Sequence, residues 1–189
     1  LASPIAPPSV PREPPLLALG VGGALDVGLL PAVSGGVFAE LILRIGAFDV
    51  RGSVTYLAPS AARPVPNVGA DVSGVVGALF GCARPLADPW LGVCVGLHAG
   101  ALLAQPVGVA VPAAGTPTGG LFAASVGLAL PWVPVDELDV ALAAEIVVSL
   151  VRPRFEIVSG EAGGPPTLVH EPLAAGARIR LAVHFDVRP

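Results

Sequence analysis

Through most of this chain apolar side chains take every second position, and isolated charges fall between them. A period of two belongs to the β-strand, whose successive side chains point to opposite faces, and not to the helix with its turn of about 3.6 residues. In Phe48–Leu57, Phe48, Val50, Val54 and Tyr56 share one parity, and Asp49, Arg51, Ser53 and Thr55 the other. Val37–Ile45 sets Val37, Ala39, Leu41, Leu43 and Ile45 against Glu40 and Arg44. Leu138–Leu150 opposes Leu138, Val140, Leu142, Ile146, Val148 and Leu150 to Asp139, Glu145 and Ser149. The last segment opposes Ile179, Leu181, Val183, Phe185 and Val187 to Arg178, Arg180, His184 and Asp186.

Four weaker segments complete a set of eight. Leu16–Leu30 places Leu17, Leu19, Val21, Leu25, Val27 and Leu29 opposite small residues and Asp26. Asp71–Cys82 is read with Val72, Val76, Ala78 and Phe80 on the apolar face, against Asp71, Ser73 and glycines. Leu91–Leu103 sets Leu91, Val93, Val95 and Leu97 against glycines and His98. Leu121–Trp132 sets Phe122, Val126, Leu128, Leu130 and Trp132 against Ala123, Ser125 and Gly127. Each segment suffices for the ~9–11 residues that a tilted strand needs to cross a bilayer's hydrocarbon. Hydropathy alone would suggest membrane helices, since no charged residue lies between Asp88 and Asp136; the period of two argues against them.

Alternate connections differ in length. Gly46-Ala47, Arg84–Pro89 and Pro134–Glu137 are short. Ala58–Ala70, Ala104–Gly119 and Arg154–Pro172 are read as longer loops, with Pro31–Gly35 a brief exception. Short turns at one rim and long loops at the other is the pattern of an outer-membrane barrel with its loops outside the cell. The link at Gly46-Ala47 pairs Ile45 with Phe48 on one face, as a tight hairpin requires.

An alternating pattern also fits a soluble barrel whose apolar face is the core, so composition has to decide. Hydrophobic residues make up 53% of the chain and charged residues 13%, against roughly 25% charged in an ordinary globular domain. There is no Lys at all. The polar parity is filled by Gly, Ala and Ser with single charges, where a wetted surface would carry Lys, Glu and Thr. The apolar parity is monotonously Leu and Val, which suits lipid contact better than interlocked core packing. Asp26, Glu40, Asp49, Asp139, Glu145 and Asp186 can pair with Arg44, Arg51, Arg178 and Arg180 across a narrow lumen, with His184 among them. The expected fold is therefore all-β: an up-and-down antiparallel transmembrane barrel of about eight strands over residues 16–187. Residues 1–15, with their many prolines, read as a tether, and the absence of an apolar run there reads as a mature or trimmed chain. Ten scattered arginines and a net charge of −4 leave no footprint for nucleic acid.

On these segments the chain resembles the small eight-stranded outer-membrane barrels of OmpA/OmpX-like architecture, as found among Gly/Ala/Leu-rich, Lys-poor proteins of high-GC bacteria. The resemblance covers roughly Leu16–Val187 and rests on pattern. It implies the bacterial outer membrane as location, outer-membrane lipids as surroundings, and the barrel-assembly machinery as a partner during insertion. Such proteins usually end in an aromatic residue; here Asp186, Val187, Arg188 and Pro189 follow Phe185. Trp90, Trp132, Phe48 and Phe185 are expected at the turn-side interface and Tyr56 towards the loop side.

Few residues suggest chemistry. Cys82 and Cys94 flank a short turn almost symmetrically, and a disulfide there suits the oxidising periplasm, contributing roughly 3 kcal/mol. The assigned parity puts Cys82 outward and Cys94 inward, so that pairing requires a bulge near Gly81; two free cysteines are the alternative. His98, His184, Ser125, Ser149 and Glu145 share the polar parity, the residue types of a serine hydrolase, but no G-x-S-x-G elbow accompanies them. Asp136, Glu137 and Asp139 read as a solvated rim. No cofactor or metal is expected. The functional expectation is a structural, anchoring or loop-presenting barrel, with the N-terminal segment available to a periplasmic partner. A narrow pore for ions or small solutes, a lipid-modifying enzyme and a soluble ligand-binding barrel are the alternatives.

Overall fold

The computed structural model describes residues 17–84, 91–108, 117–135, 138–157 and 166–187. Eight antiparallel strands close into a barrel: β1 (Leu17–Val27), β2 (Ser34–Ile45), β3 (Phe48–Val65), β4 (Val68–Ala83), β5 (Gly92–Val107), β6 (Thr118–Val135), β7 (Leu138–Val151) and β10 (Ala175–Val187). Each pairs with its neighbour in sequence, and β10 closes against β1 from Leu17↔Val187 to Val27↔Ala177. A small hairpin, β8 (Phe155–Ile157) and β9 (Thr167–His170), is built into the connection between β7 and β10.

The faces follow from the pattern of the strongly alternating segments. Leu41, Val54, Leu142 and Leu181 are 47%, 58%, 44% and 55% exposed, whereas Glu40 and Arg180 are 6% and 7% exposed. Greasy side chains thus point away from the barrel axis and charged ones towards it. The outward parity stays free of charge along the described strands until Asp71, near the loop-side rim, where it meets Arg63 at 2.6 Å. Phe48 and Phe185 stand exposed at the turn side and Tyr56 towards the loop side, as an interfacial aromatic belt requires. Trp90 and the side chain of Trp132 lie outside the described residues, as do segment 1–15, Asp136 and Glu137.

The turn chemistry fits the register. Gly46 has φ 61° and begins the two-residue link that pairs Ile45 with Phe48, the position where a hairpin turn of type II′ places glycine. At the other rim Pro66-Asn67 joins Val65 to Val68, with Asn67 at φ 62°. Proline followed by a residue of positive φ is the chemistry of a type II turn.

Three sequence expectations are corrected. Ala58–Ala70 is not a loop: β3 and β4 continue through it as a projecting hairpin. Register shifts after Leu57 and Ala62 interrupt the pairing there, and each extra residue switches the parity, which hides the strand from a period-two search. Similarly, β5 and β6 run into the span read as the loop Ala104–Gly119, and Arg154–Pro172 holds β8 and β9. Leu29, assigned outward, is buried with Leu30 in the connection after β1.

The third correction concerns β4, whose faces are inverted throughout. Val72, Val76 and Phe80 point inward, while Val75 and Leu79 are exposed. Residues directly opposite on antiparallel strands share a face. The inward Asp49, Arg51, Ser53 and Thr55 lie opposite Cys82, Phe80, Ala78 and Val76, so the even residues of β4 must face the lumen. The same register sets Cys82 directly opposite Cys94. Their disulfide forms without the bulge near Gly81 that the sequence reading required.

Candidate functional site: a divided lumen

The lumen is where the sequence concentrates polar groups, and the strands deliver them in pairs. Near the turns, Arg44 of β2 reaches Asp139 of β7 at 2.7 Å and Asp186 of β10 at 2.9 Å. Asp49 of β3 holds Arg51 at 3.0 Å and Arg84 at 2.8 Å. Further up, Glu40 accepts from Arg180 at 2.8 Å and from His184 Nε2 at 2.7 Å. The Arg180 guanidinium lies 4.1 Å from the centre of the Phe38 ring and 5.2 Å from that of Phe80, so cation–π attraction holds the faces that carboxylates leave bare. Higher still, Arg178 donates to Asp26 Oδ2 at 3.0 Å and approaches Glu145 at 3.8 Å. Each buried carboxylate of this set therefore has a cation beside it, which offsets the desolvation of both.

These pairs gather every lumen residue proposed from the sequence: Asp26, Glu40, Arg44, Asp49, Arg51, Asp139, Glu145, Arg178, Arg180, His184 and Asp186. Arg84 and the aromatic pair Phe38 and Phe80 join them unforeseen. Phe38 carried a signal, since it shares the parity of Glu40; Phe80 was obscured by the misassigned face of β4. Close approach within the lumen relies on glycine. A Cβ on Gly96 would stand 2.6 Å from Phe80 Cε1, and one on Gly20 would stand 2.9 Å from Glu40 Cγ.

Ser125, His98 and Glu145 do meet, but not as a catalytic relay. His98 Nε2 lies 2.8 Å from Ser125 Oγ and 3.4 Å from Glu145 Oε2, so both partners share one nitrogen. Nδ1 has no partner among the described residues. A serine triad instead needs the hydroxyl on one ring nitrogen and the carboxylate on the other. His98 is also only 1% exposed, and its ring packs edge-on against Phe80 at 5.3 Å. The arrangement is a buried polar cluster beside a cavity of about 30 Å³, lined in part by Arg51, Phe80, Ser125, Glu145 and Arg180. That is room for about one water.

The loop-side end is different. Leu57, Val72, Val76 and Leu102 are wholly excluded from solvent and pack with Ala70, Ala104, Leu121 and Phe155. Leu29 and Leu30 fold over from the connection after β1 to join them. Among the described residues, the barrel is thus filled by ion pairs below and closed by an apolar plug above. Asp26 connects the two, since one oxygen binds Arg178 and the other accepts the Leu29 N–H at 3.1 Å.

A closed eight-stranded antiparallel cylinder with an apolar exterior and a charge-paired interior is the architecture of the small outer-membrane β-barrels, and the uncharged belt suits it to span a bilayer. Solved structures agree on the fold. A major outer-membrane protein from Thermus thermophilus superposes with a TM-score of 0.58 at 12% identity, covering 89% of this chain and 98% of that one. Ail, the attachment invasion locus protein of Yersinia pestis, in complex with the heparin analogue sucrose octasulfate, gives 0.55 at 11% identity over 92% and 99%. Neisserial surface protein A gives 0.51 at 8% identity over 90% and 96%. No protein-family model matches the sequence, and no curated protein matches it.

Proposed function

We propose that this protein is an integral outer-membrane barrel whose task is structural: it anchors in the bilayer and presents the projecting β3–β4 and β8–β9 hairpins at the loop side. The observation that carries this reading is the filled lumen. Ion pairs and an apolar plug occupy the space that a pore would need, and eight strands leave little bore in any case. Outer-membrane lipids are the surroundings for which the Leu/Val belt is suited. The N-terminal segment 1–15 is proposed as a tether towards the periplasm, open to a partner there, and insertion is proposed to use the barrel-assembly machinery.

Binding of sulfated sugars, as in the Ail complex with sucrose octasulfate, finds no support in the charge pattern of the described residues. Arg63, Arg152 and Arg154 at the loop side lie against Asp71, Glu171 and Glu156 rather than forming a free cationic patch. Two measurements test the reading together. The full chain is expected to need detergent for solubility and to migrate faster on gels before heating than after. In planar bilayers it is expected to give no steady conductance; reproducible unitary currents would replace the structural role with transport.

A further inference from the structure

The plug over the loop-side mouth is a folded-over piece of chain, residues 28–33, and its attachments among the described residues are few and specific. Gly28, at φ 114°, turns the chain inward after β1, a conformation that glycine adopts freely. The Leu29 N–H bonds Asp26 Oδ1 at 3.1 Å, and the Leu173 N–H bonds the Gly28 carbonyl at 2.7 Å. The Ala32 N–H bonds Ser60 Oγ at 3.2 Å. The remaining attachment is His170 of β9, whose Nε2 donates to the Leu29 carbonyl at 2.8 Å. His170 is buried, and it lies opposite Phe155, itself part of the plug.

We propose that residues 28–33 form an acid-released latch on the loop-side mouth, with the His170 imidazole as its sensor. A second proton on this ring would place a full charge against Leu29 and Phe155 in a largely buried position, which is costly. The charged groups around it do not supply a free counter-ion. Glu171, next in the chain, is held by Arg152 at 3.2 Å and Arg154 at 3.3 Å. Glu156 of β8 lies against Arg154, Asp26 is held by Arg178, and on β3 Arg63 is tied to Asp71. Burial pushes His170 below the ordinary histidine range, outweighing the opposite pull of its bond to Leu29 and of Glu171. The sign follows. A group that binds its proton more readily when released favours the closed form above its ordinary titration near about 6.5, and loses that contribution as pH falls through it. Acid on the outer face therefore opens the latch and exposes Leu57, Val72 and Leu102. The inference rests on the proposed barrel only for which side the mouth faces.

Amide hydrogen exchange of the full chain in detergent micelles tests it, at about pH 7.5 and about pH 5, corrected for intrinsic rates. Protection at Leu29 and Ala32 is expected to fall severalfold in the acidic sample, while amides paired within the barrel strands stay protected. In His170→Gln, which keeps an N–H donor but does not titrate, protection is expected to stay level; in Glu171→Gln the fall is expected to persist. No fall in the parent chain, or an equal fall in His170→Gln, overturns the latch. Heat-modifiable gel mobility reports separately whether each variant is still a barrel. If His170→Gln does not assemble, a titration of the parent followed at the His170 ring and the Leu29 amide decides. Joint movement supports the sensor, and a ring that titrates while Leu29 stays fixed removes it.

Discussion

The two ends of the lumen solve the same filling problem with opposite chemistry. On the side of β1, β2, β7 and β10, the space is occupied by Asp26, Glu145, Arg178, Glu40, Arg180 and His184, each placed against a partner. Towards the loop side of β3, β4, β5 and β6 it is occupied by Leu57, Val72, Val76 and Leu102. The ionic end tolerates little change in identity, because removing one charge strands another away from water. The apolar end depends on volume, because a lost methyl leaves a hole that the wall cannot fully collapse into. Asp26 spans both regimes, holding Arg178 with one oxygen and the Leu29 backbone with the other.

The largest effect should come from the ionic end. Arg178→Met leaves Asp26 and Glu145 without their guanidinium, and unfolding by urea in lipid vesicles should show a loss of about 3–5 kcal/mol. A loss under about 1 kcal/mol would mean that water reaches these carboxylates. Leu102→Ala at the apolar end should lose about 2–4 kcal/mol at neutral pH, where the mouth is closed; no measurable loss there would contradict its burial in the plug. Gly96→Ala should destabilise by about 1–3 kcal/mol because its new methyl meets the Phe80 ring. The comparison sharpens in Gly96→Ala combined with Phe80→Leu: coupling in the double-mutant cycle would place that ring in the lumen, and strict additivity would return Phe80 to the lipid face. The smallest effect is expected outside the barrel. Arg154→Ala removes an exposed partner of Glu156 and Glu171, and its midpoint in urea should be indistinguishable from the parent's.

Legibility in the sequence tracked the position of charges. Where Asp49 and Arg51, Glu40 and Arg44, or Arg178 and Arg180 sit on one parity, the inward face is marked by residues that lipid would not accept, and the structure has them inside. The uncharged β5 and β6 were still readable, because bulky and small residues separate cleanly by parity there. In β4 they do not: Val72, Val76 and Phe80 lie on one parity and Val75 and Leu79 on the other. The cysteines held the missing information. A cross-strand disulfide needs both residues on one face, so Cys94 beside the inward His98 already required Cys82, and the whole of β4, to turn over. The contact of His170 with Leu29 had no such marker, because the two are 141 residues apart and joined through a backbone carbonyl.

The amino-acid sequence alone determined that the chain is a cylinder of alternating strands, with Leu and Val outward and most charges inward, because side-chain parity is a local property of each strand. Only the tertiary structure decided the face of β4, the pairing of each carboxylate and the folding of Leu29 and Leu30 into the mouth. Those depend on which residue lies opposite or across the lumen, and that is set by register and closure of the whole barrel rather than by any one segment.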